Sequence, residues 1–295
     1  MLRGVCLIIC FVFNSEIALK AQIDKEFKIE ERKGFNLVHV DFNVYKGITE
    51  LYREHGDSPL HITSHLSKVN ILPTFSHNIR NGVLSANLLH RNVESETLGK
   101  SLSYKLFSSD SEDYDHKWNI GLSSNHLYDL NLYFGIGKAN LDFSNLPISN
   151  CNIKSASADI KLNYTKKAPN SVTMDTLMVS INMGNLEVSN INYANAENMI
   201  FEINYGTLDL SFSDKLLHDA KVSAVVGAGK VNITLPDQSQ PYKLKIKSTA
   251  MCRTYLPKYL KDIGDKTYVS KSYKADAPDL LDLTIDVSVG SVTVK

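Results

Sequence analysis

Hydrophobic and polar positions alternate along most of this chain, and helical periodicity is nearly absent. A period of two is the mark of a strand with one face buried. Residues 35–44, Phe-Asn-Leu-Val-His-Val-Asp-Phe-Asn-Val, predict a strand. Residues 69–79 and 83–90 flank Asn81-Gly82 and predict a hairpin, because both turn residues tolerate positive φ. Lys100 to Phe107 predicts another strand. The polar run from Ser108 to Asp115 predicts a loop and an internal boundary.

From Trp118 onward the chain repeats itself. Asn140-Leu141-Asp142-Phe143-Ser144 returns as Asn185-Leu186-Glu187-Val188-Ser189, 45 residues later. Gly206-Thr207-Leu208-Asp209-Leu210-Ser211 and Gly229-Lys230-Val231-Asn232-Ile233 follow at intervals of 22 and 23 residues. Ile160-Lys161-Leu162 fills the midpoint of the first gap. Each copy is an alternating strand, a small-residue corner and a second alternating strand. The corners predicted are Gly135-Ile136-Gly137, Ser155-Ala156-Ser157, Gly184, Gly206, Gly227-Ala228-Gly229 and, in the last strand pair, Gly290. A sharp corner needs unusual backbone angles and little bulk. Such a unit cannot bury its own apolar side, so the period predicts an all-β solenoid, in which stacked units share one core. A two-sheet sandwich is the competing arrangement. The Leu-x-x-Leu-x-Leu spacing of leucine-rich repeats is missing.

The run Leu130-Asn131-Leu132-Tyr133-Phe134-Gly135-Ile136-Gly137, the corner-plus-strand copies, the segment Gly229 to Pro236 and the closing Val-Ser-Val-Gly-Ser-Val-Thr-Val resemble the toast-rack domains. These belong to the cell-wall-active antibiotic response proteins and related adhesin families. The resemblance covers roughly 118–295. It implies a β-solenoid on an exported, envelope-facing protein with an adhesion or envelope-stress role, and it implies no catalytic residues. The domain expectation is a signal peptide at 1–21, an N-terminal β region at 22–117 and a β-solenoid repeat domain at 118–295. Residues 22–117 either join the stack or form a separate β cap.

Arg3 followed by nine apolar residues, Val5 to Phe13, predicts a secretory signal peptide cleaved after Ala21. The run is too short to cross a bilayer, which takes about 20 apolar residues. No second long apolar run follows, so no transmembrane helix is expected in the mature chain. Cleavage would remove Arg3, Lys20 and Glu16 and leave a net charge of about −1 with His neutral. That balance gives no case for nucleic acid, which calls for a concentrated basic face. Cleavage also removes Cys6 and Cys10, leaving Cys151 and Cys252. Two cysteines make neither a disulfide framework nor a metal site, and sequence does not say whether they pair.

Candidate chemistry is sparse. No Gly-x-Ser-x-Gly elbow and no phosphate-binding glycine loop occurs. The expectation is a protein without enzymatic activity and without a cofactor or metal. Asp142, Lys161, Glu187, Asp209 and Asn232 are expected to form one outward column, either a solvated face or a weak calcium site. Asp110, Glu112, Asp113 and Asp115 read as a solvated loop. His39 and His61 read as surface residues with partners. The most distinctive stretch, Cys252 to Lys274, interleaves tyrosines with basic residues. Arg253, Tyr255, Lys258, Tyr259, Lys261, Tyr268 and Tyr273 are candidate contacts for an envelope glycan or a protein partner, since tyrosine suits a wet interface. The alternative is a cap on the end of the stack. The functional expectation is therefore an exported binding or structural module, periplasmic, outer-surface or secreted. Its rivals are a glycan-active enzyme using Glu187 and Asp209, and a carrier of an apolar ligand.

Overall fold

The computed structural model describes residues 22–30, 33–67, 72–91, 116–165 and 168–295. The expected signal peptide, the strand at 100–107 and the acidic loop at 108–115 lie outside the described residues. The alternating segments form the strands β1 (Gln22–Ile29), β2 (Leu37–Glu54), β3 (Leu60–Ser67), β4 (Thr74–Arg80), β5 (Val83–His90) and β6 (Lys117–Ser123). These are followed by β7 (Tyr128–Asp142), β8 (Ile148–Asn163), β9 (Met174–Ser189), β10 (Ala196–Ser211) and β11 (Ala220–Thr234). The last are β12 (Tyr242–Ser248), β13 (Cys252–Tyr255), β14 (Lys261–Asp262), β15 (Thr267–Val269) and β16 (Leu281–Val294). A 3-10 turn, Ile191–Ala194, precedes β10.

Seven of these strands are long and bent, and they stack in parallel in the order β2, β7, β8, β9, β10, β11, β16. Each has a first arm, a corner and a second arm, and return segments carry the chain to the next rung. The corner is a column of residues in contact: Gly47, Gly137, Ala158, Gly184, Gly206, Gly229 and Gly290. The glycines there have φ between +125° and +156°, which L side chains rarely adopt. Ala158 holds its place without positive φ.

The core lies between the arms. One first-arm column reads Phe42, Leu132, Ile153, Val179, Phe201, Ala224, Ile285, Ile246, so the small Ala224 sits beside the large Phe201. The second arm contributes Ala139, Ile160, Leu186, Leu208, Val231 and Val292 in one column. All of these side chains are buried. At about 1.5–3 kcal/mol for each large apolar side chain removed from water, the stack is driven by burial. The return segments add Phe143, Tyr164, Tyr193, Phe212 and Leu235 to the same core. Buried amides fix these segments. Asn170 accepts from Ile148 N at 3.1 Å and donates to Ile148 O at 2.8 Å and Ala194 O at 3.1 Å. Gln240 accepts from Leu216 N at 3.0 Å and donates to Asp279 O. Buried amides without such partners would be costly.

The described residues of the region 22–117 do two jobs. β2 is a full rung, paired with β7 along both arms. Beside its first arm lie β5 and then β4, joined by the expected hairpin at Asn81-Gly82. Beside its second arm lie the parallel β6, then β3 antiparallel to β6, then β1 antiparallel to β3. At the other end β12 continues the first arm of β16, and β13 continues the second.

Three expectations need correction. The strand predicted at 35–44 runs on through Gly47 to Glu54, because Gly47 is the first corner of the column. The β8 corner is Ala158, with Ser155 and Ser157 buried just before it. The repeat alignment of β7 with β9 is displaced by two residues. Gly137 aligns with Gly184 through Ala158, and Leu141 with Val188 through Leu162. The outward column is therefore Glu50, Asn140, Lys161, Glu187, Asp209, Asn232, Thr293, with Asp142 one pair further along. A two-residue slip preserves every inward and outward assignment, so alternation alone cannot detect it.

Candidate binding surface

The stretch rich in tyrosine and lysine closes the C-terminal end of the stack. Arg253 and Tyr255 lie on β13, opposite Ser291 and Thr293, and both are exposed. Lys258 and Tyr259 follow in an exposed turn, and Lys261 opens β14. Tyr268 on β15 is half-buried and packs against the core, and Tyr273 is half-buried in the segment beyond. β15 pairs antiparallel with β12, and β14 with β15. The structure thus brings the seven candidates to one end but splits them between the two arms. Tyr268 serves the cap, while Tyr255 and Tyr259 present more than half of their area to solvent. Lys245 donates to Asp265 at 2.7 Å, and this ammonium holds the Asp265 carboxyl below the usual range.

The carboxylates of the outward column of the second arm each have a polar neighbour along it. Asn140 donates to Glu50 at 2.6 Å and Asn232 to Asp209 at 2.6 Å, while Lys161 lies 3.3 Å from Glu187. Glu187 and Asp209 do stand side by side, over an open groove of about 380 Å³ that Asn232 and Lys295 also line. Among the described residues, no cluster of three or more His, Cys, Asp and Glu could hold a metal ion. A larger open groove, about 750 Å³, lies at the start of the first arm between Glu197, Asn198, His218, Asp219, Lys221 and Asp279.

The histidines named from sequence have acidic partners. His39 lies 2.9 Å from Asp129, and His61 lies 2.9 Å from Glu54 and 3.0 Å from Glu26. Sequence reasoning missed the aromatic cluster at the first corner. His116 is fully buried there, with Nε2 at 3.0 Å from the Tyr45 hydroxyl and Nδ1 accepting from Ser67 N at 3.3 Å. That pairing assigns the ring proton to Nε2. Cys151 is buried inside β8 and Cys252 is half-buried on β13; both are free. Four strands separate theirs, which at about 4.8 Å per strand is roughly 24 Å. A disulfide needs Cα atoms within about 7 Å, so the two cannot join within one chain.

A filled core between bent, parallel, glycine-cornered rungs defines a β-solenoid of the toast-rack type. The family described as the N-terminal domain of toast_rack, DUF2154, matches residues 19–184. That is more than half of the chain, which therefore belongs to this family. The match begins well before the predicted boundary at 118 and includes β2, consistent with its place as a rung. Among solved structures, a "putative cell adhesion protein" from Clostridium sporogenes is similar with a TM-score of 0.50 and 13% identity. The alignment covers 93% of this chain and 99% of that one. A "putative adhesin" from Bacteroides fragilis aligns over 94% of this chain and 98% of its own, with a TM-score of 0.30 and 11% identity. No curated protein matches the chain. Among the described residues no helix is long and apolar enough to cross a membrane.

Proposed function

We propose that this protein is an exported, non-catalytic binding module of the cell envelope with an adhesin-like role. The observation that carries the reading is the exposure of Tyr255 and Tyr259 beside Arg253, Lys258 and Lys261 at the end of a rigid stack. Aromatic faces with polar tips, ringed by cations, suit an anionic glycan or a wet protein contact. The name of the Clostridium sporogenes protein supports an adhesive role, and the apolar run after Arg3 supports export with cleavage after Ala21. The interior that an apolar-ligand carrier would keep open is filled by Phe42, Trp118, Phe143 and Phe201.

The test is retention on isolated cell-wall fragments and on a purified anionic polysaccharide. Tyr255→Ser with Tyr259→Ser should lower retention about tenfold while leaving the urea midpoint in place. Unchanged retention would remove this surface from the reading. N-terminal sequencing of the exported form should begin near Gln22. The side-by-side placement of Glu187 and Asp209 favours one rival, a glycan-active enzyme. Release of reducing ends that disappears in Glu187→Gln would establish it.

A further inference from the structure

The outer edge of the stack, where the arms meet, carries an apolar line that the fold does not use. The residue just before each corner faces outward. In successive rungs it is Met183, Tyr205, Ala228 and Val289, and Met251 follows, its carbonyl accepting from Gly290 N at 3.1 Å. With rungs about 4.8 Å apart, the line is about 19 Å long. Three of its members are exposed. Tyr205 is 59% exposed, Val289 40% and Met251 67%, and Val225, on the neighbouring column, is 45% exposed. Scattered single apolar residues on a surface need no explanation, but a continuous line of them does.

Cations surround the exposed end of this line. Lys247 immediately precedes Ser248, and Lys266 reaches Ser248 O at 3.2 Å and Ser248 Oγ at 3.1 Å. Arg253 lies two residues beyond Met251, and Lys230 shares Ser291 as a register partner with Arg253. Asp286, opposite Lys247 in the register, and Glu202, beyond Val225 in the same column, are acidic residues that the sheet places among them, and Asp265 beside Lys266 is paired with Lys245. Outside the Lys245–Asp265 pair, four positive charges therefore face two negative charges around methionine, valine and tyrosine side chains that point into solvent.

We infer that this corner edge, centred on Met251 and Val289, docks on an anionic lipid surface. The apolar tips enter the boundary between headgroups and acyl chains, and Lys230, Lys247, Lys266 and Arg253 meet lipid phosphates. Apolar insertion and cationic contact are each weak alone and add when they share one surface. A straight edge presents them along a single line, and the rigid corner column keeps that line straight. Arg253 and Tyr255 share the outward face of β13, so the lipid contact borders the Tyr255 and Tyr259 surface. The variants that test the lipid contact leave Tyr255 and Tyr259 in place, so either proposal can fail without the other.

The experiment is co-sedimentation of the full protein with vesicles of phosphatidylcholine alone and with vesicles containing one-third phosphatidylglycerol. Binding to the anionic vesicles should be at least tenfold stronger and should weaken as salt rises. Lys247→Ser with Lys266→Ser should reduce it about 25-fold, since each basic residue near such a surface contributes about fivefold. Met251→Ser with Val289→Ser should reduce it about tenfold at unchanged urea midpoint. A polarity-sensitive label on Met251→Cys, in a Cys252→Ser background, should report a less polar setting on anionic vesicles. Equal partition onto both vesicle types, displacement by inorganic phosphate, or a label that stays in water would each overturn the inference.

Discussion

The carbonyl oxygen of Gly184 lies 1.7 Å from the point that a β-carbon on Gly206 would occupy. Gly206 stands in the same relation to Gly229, also at 1.7 Å, and Gly229 to Gly290 at 1.8 Å. The corner column is thus backbone on backbone, and neither partner can move without moving its own rung. Glycine is needed twice over here, for φ near +151° and for the space.

Gly206→Ala should therefore be among the most damaging single substitutions in the chain, costing more than about 4 kcal/mol. Gly264→Ala is the control. Its φ is also positive, at +98°, but nothing lies within 4 Å of the added carbon. Conformational strain alone should cost about 1–2 kcal/mol there. Urea melting of the two variants separates the contributions. Similar midpoints would show that close packing at the corner does not matter.

The inward and outward faces were legible in the sequence, and the register was not. Leu186, Leu208 and Val231 share one buried column as expected, but Leu141 belongs to the next one, with Leu162 and Val188. The signal that fixes the register was present in the glycines, because Gly137 and Gly184 are 47 residues apart rather than 45. Gly47 was readable in the same way, but no copy of its rung follows until Tyr128, 90 residues after Val38 in the ladder. The intervening β3, β5 and β6 disguise β2 as part of a separate region. The candidate contacts were found by composition. Composition does not show that Tyr268 faces the core while Tyr255 faces solvent, since that depends on which edge each short strand joins.

Leu208→Asp and Asp209→Ser test the faces. Leu208 is fully buried between Leu186 and Val231. A carboxylate there has no partner, and several kcal/mol should be lost from a typical total of about 5–15. Asp209 faces outward, accepting from Asn232 and standing beside Glu187. Serine would lose that hydrogen bond but relieve the like-charge neighbour, so the net change should stay within about 0.5 kcal/mol. Equal effects in thermal or urea melting would contradict the pairing of these strands.

The two cysteines should differ in reactivity. Burial pushes the Cys151 thiol far up, with Asp129 adding to the effect, and the thiolate is the reactive form. Cys252 is raised by partial burial and lowered in part by Lys266. Iodoacetamide at pH 8 should label Cys252 slowly in the native protein and reach Cys151 only after denaturation. Mass spectrometry of the labelled peptides reads this directly. Native labelling of Cys151 would mean that the core opens at β8.

Alkaline pH should unfold the protein through its buried tyrosines. Burial raises Tyr128 and Tyr164 well above the ordinary phenol, and it pushes Tyr242 up to about 12. Tyr128 is fixed by donating to Pro59 O at 2.8 Å and Ser123 O at 2.9 Å. The unfolded phenol titrates near 10. Below that pH both states are protonated, and the stability held in these buried phenols is fully present. As pH rises past about 10 the unfolded chain releases protons that the folded chain keeps, so stability falls until Tyr242 itself titrates near 12. Urea midpoints measured from pH 9 to 12 should fall in wild type and fall less steeply in Tyr242→Phe. The ring of that variant still fills its place against Leu281, its partner in the register, and only the ionisable oxygen is gone. Parallel slopes would mean that the Tyr242 hydroxyl is reached by water in the folded state.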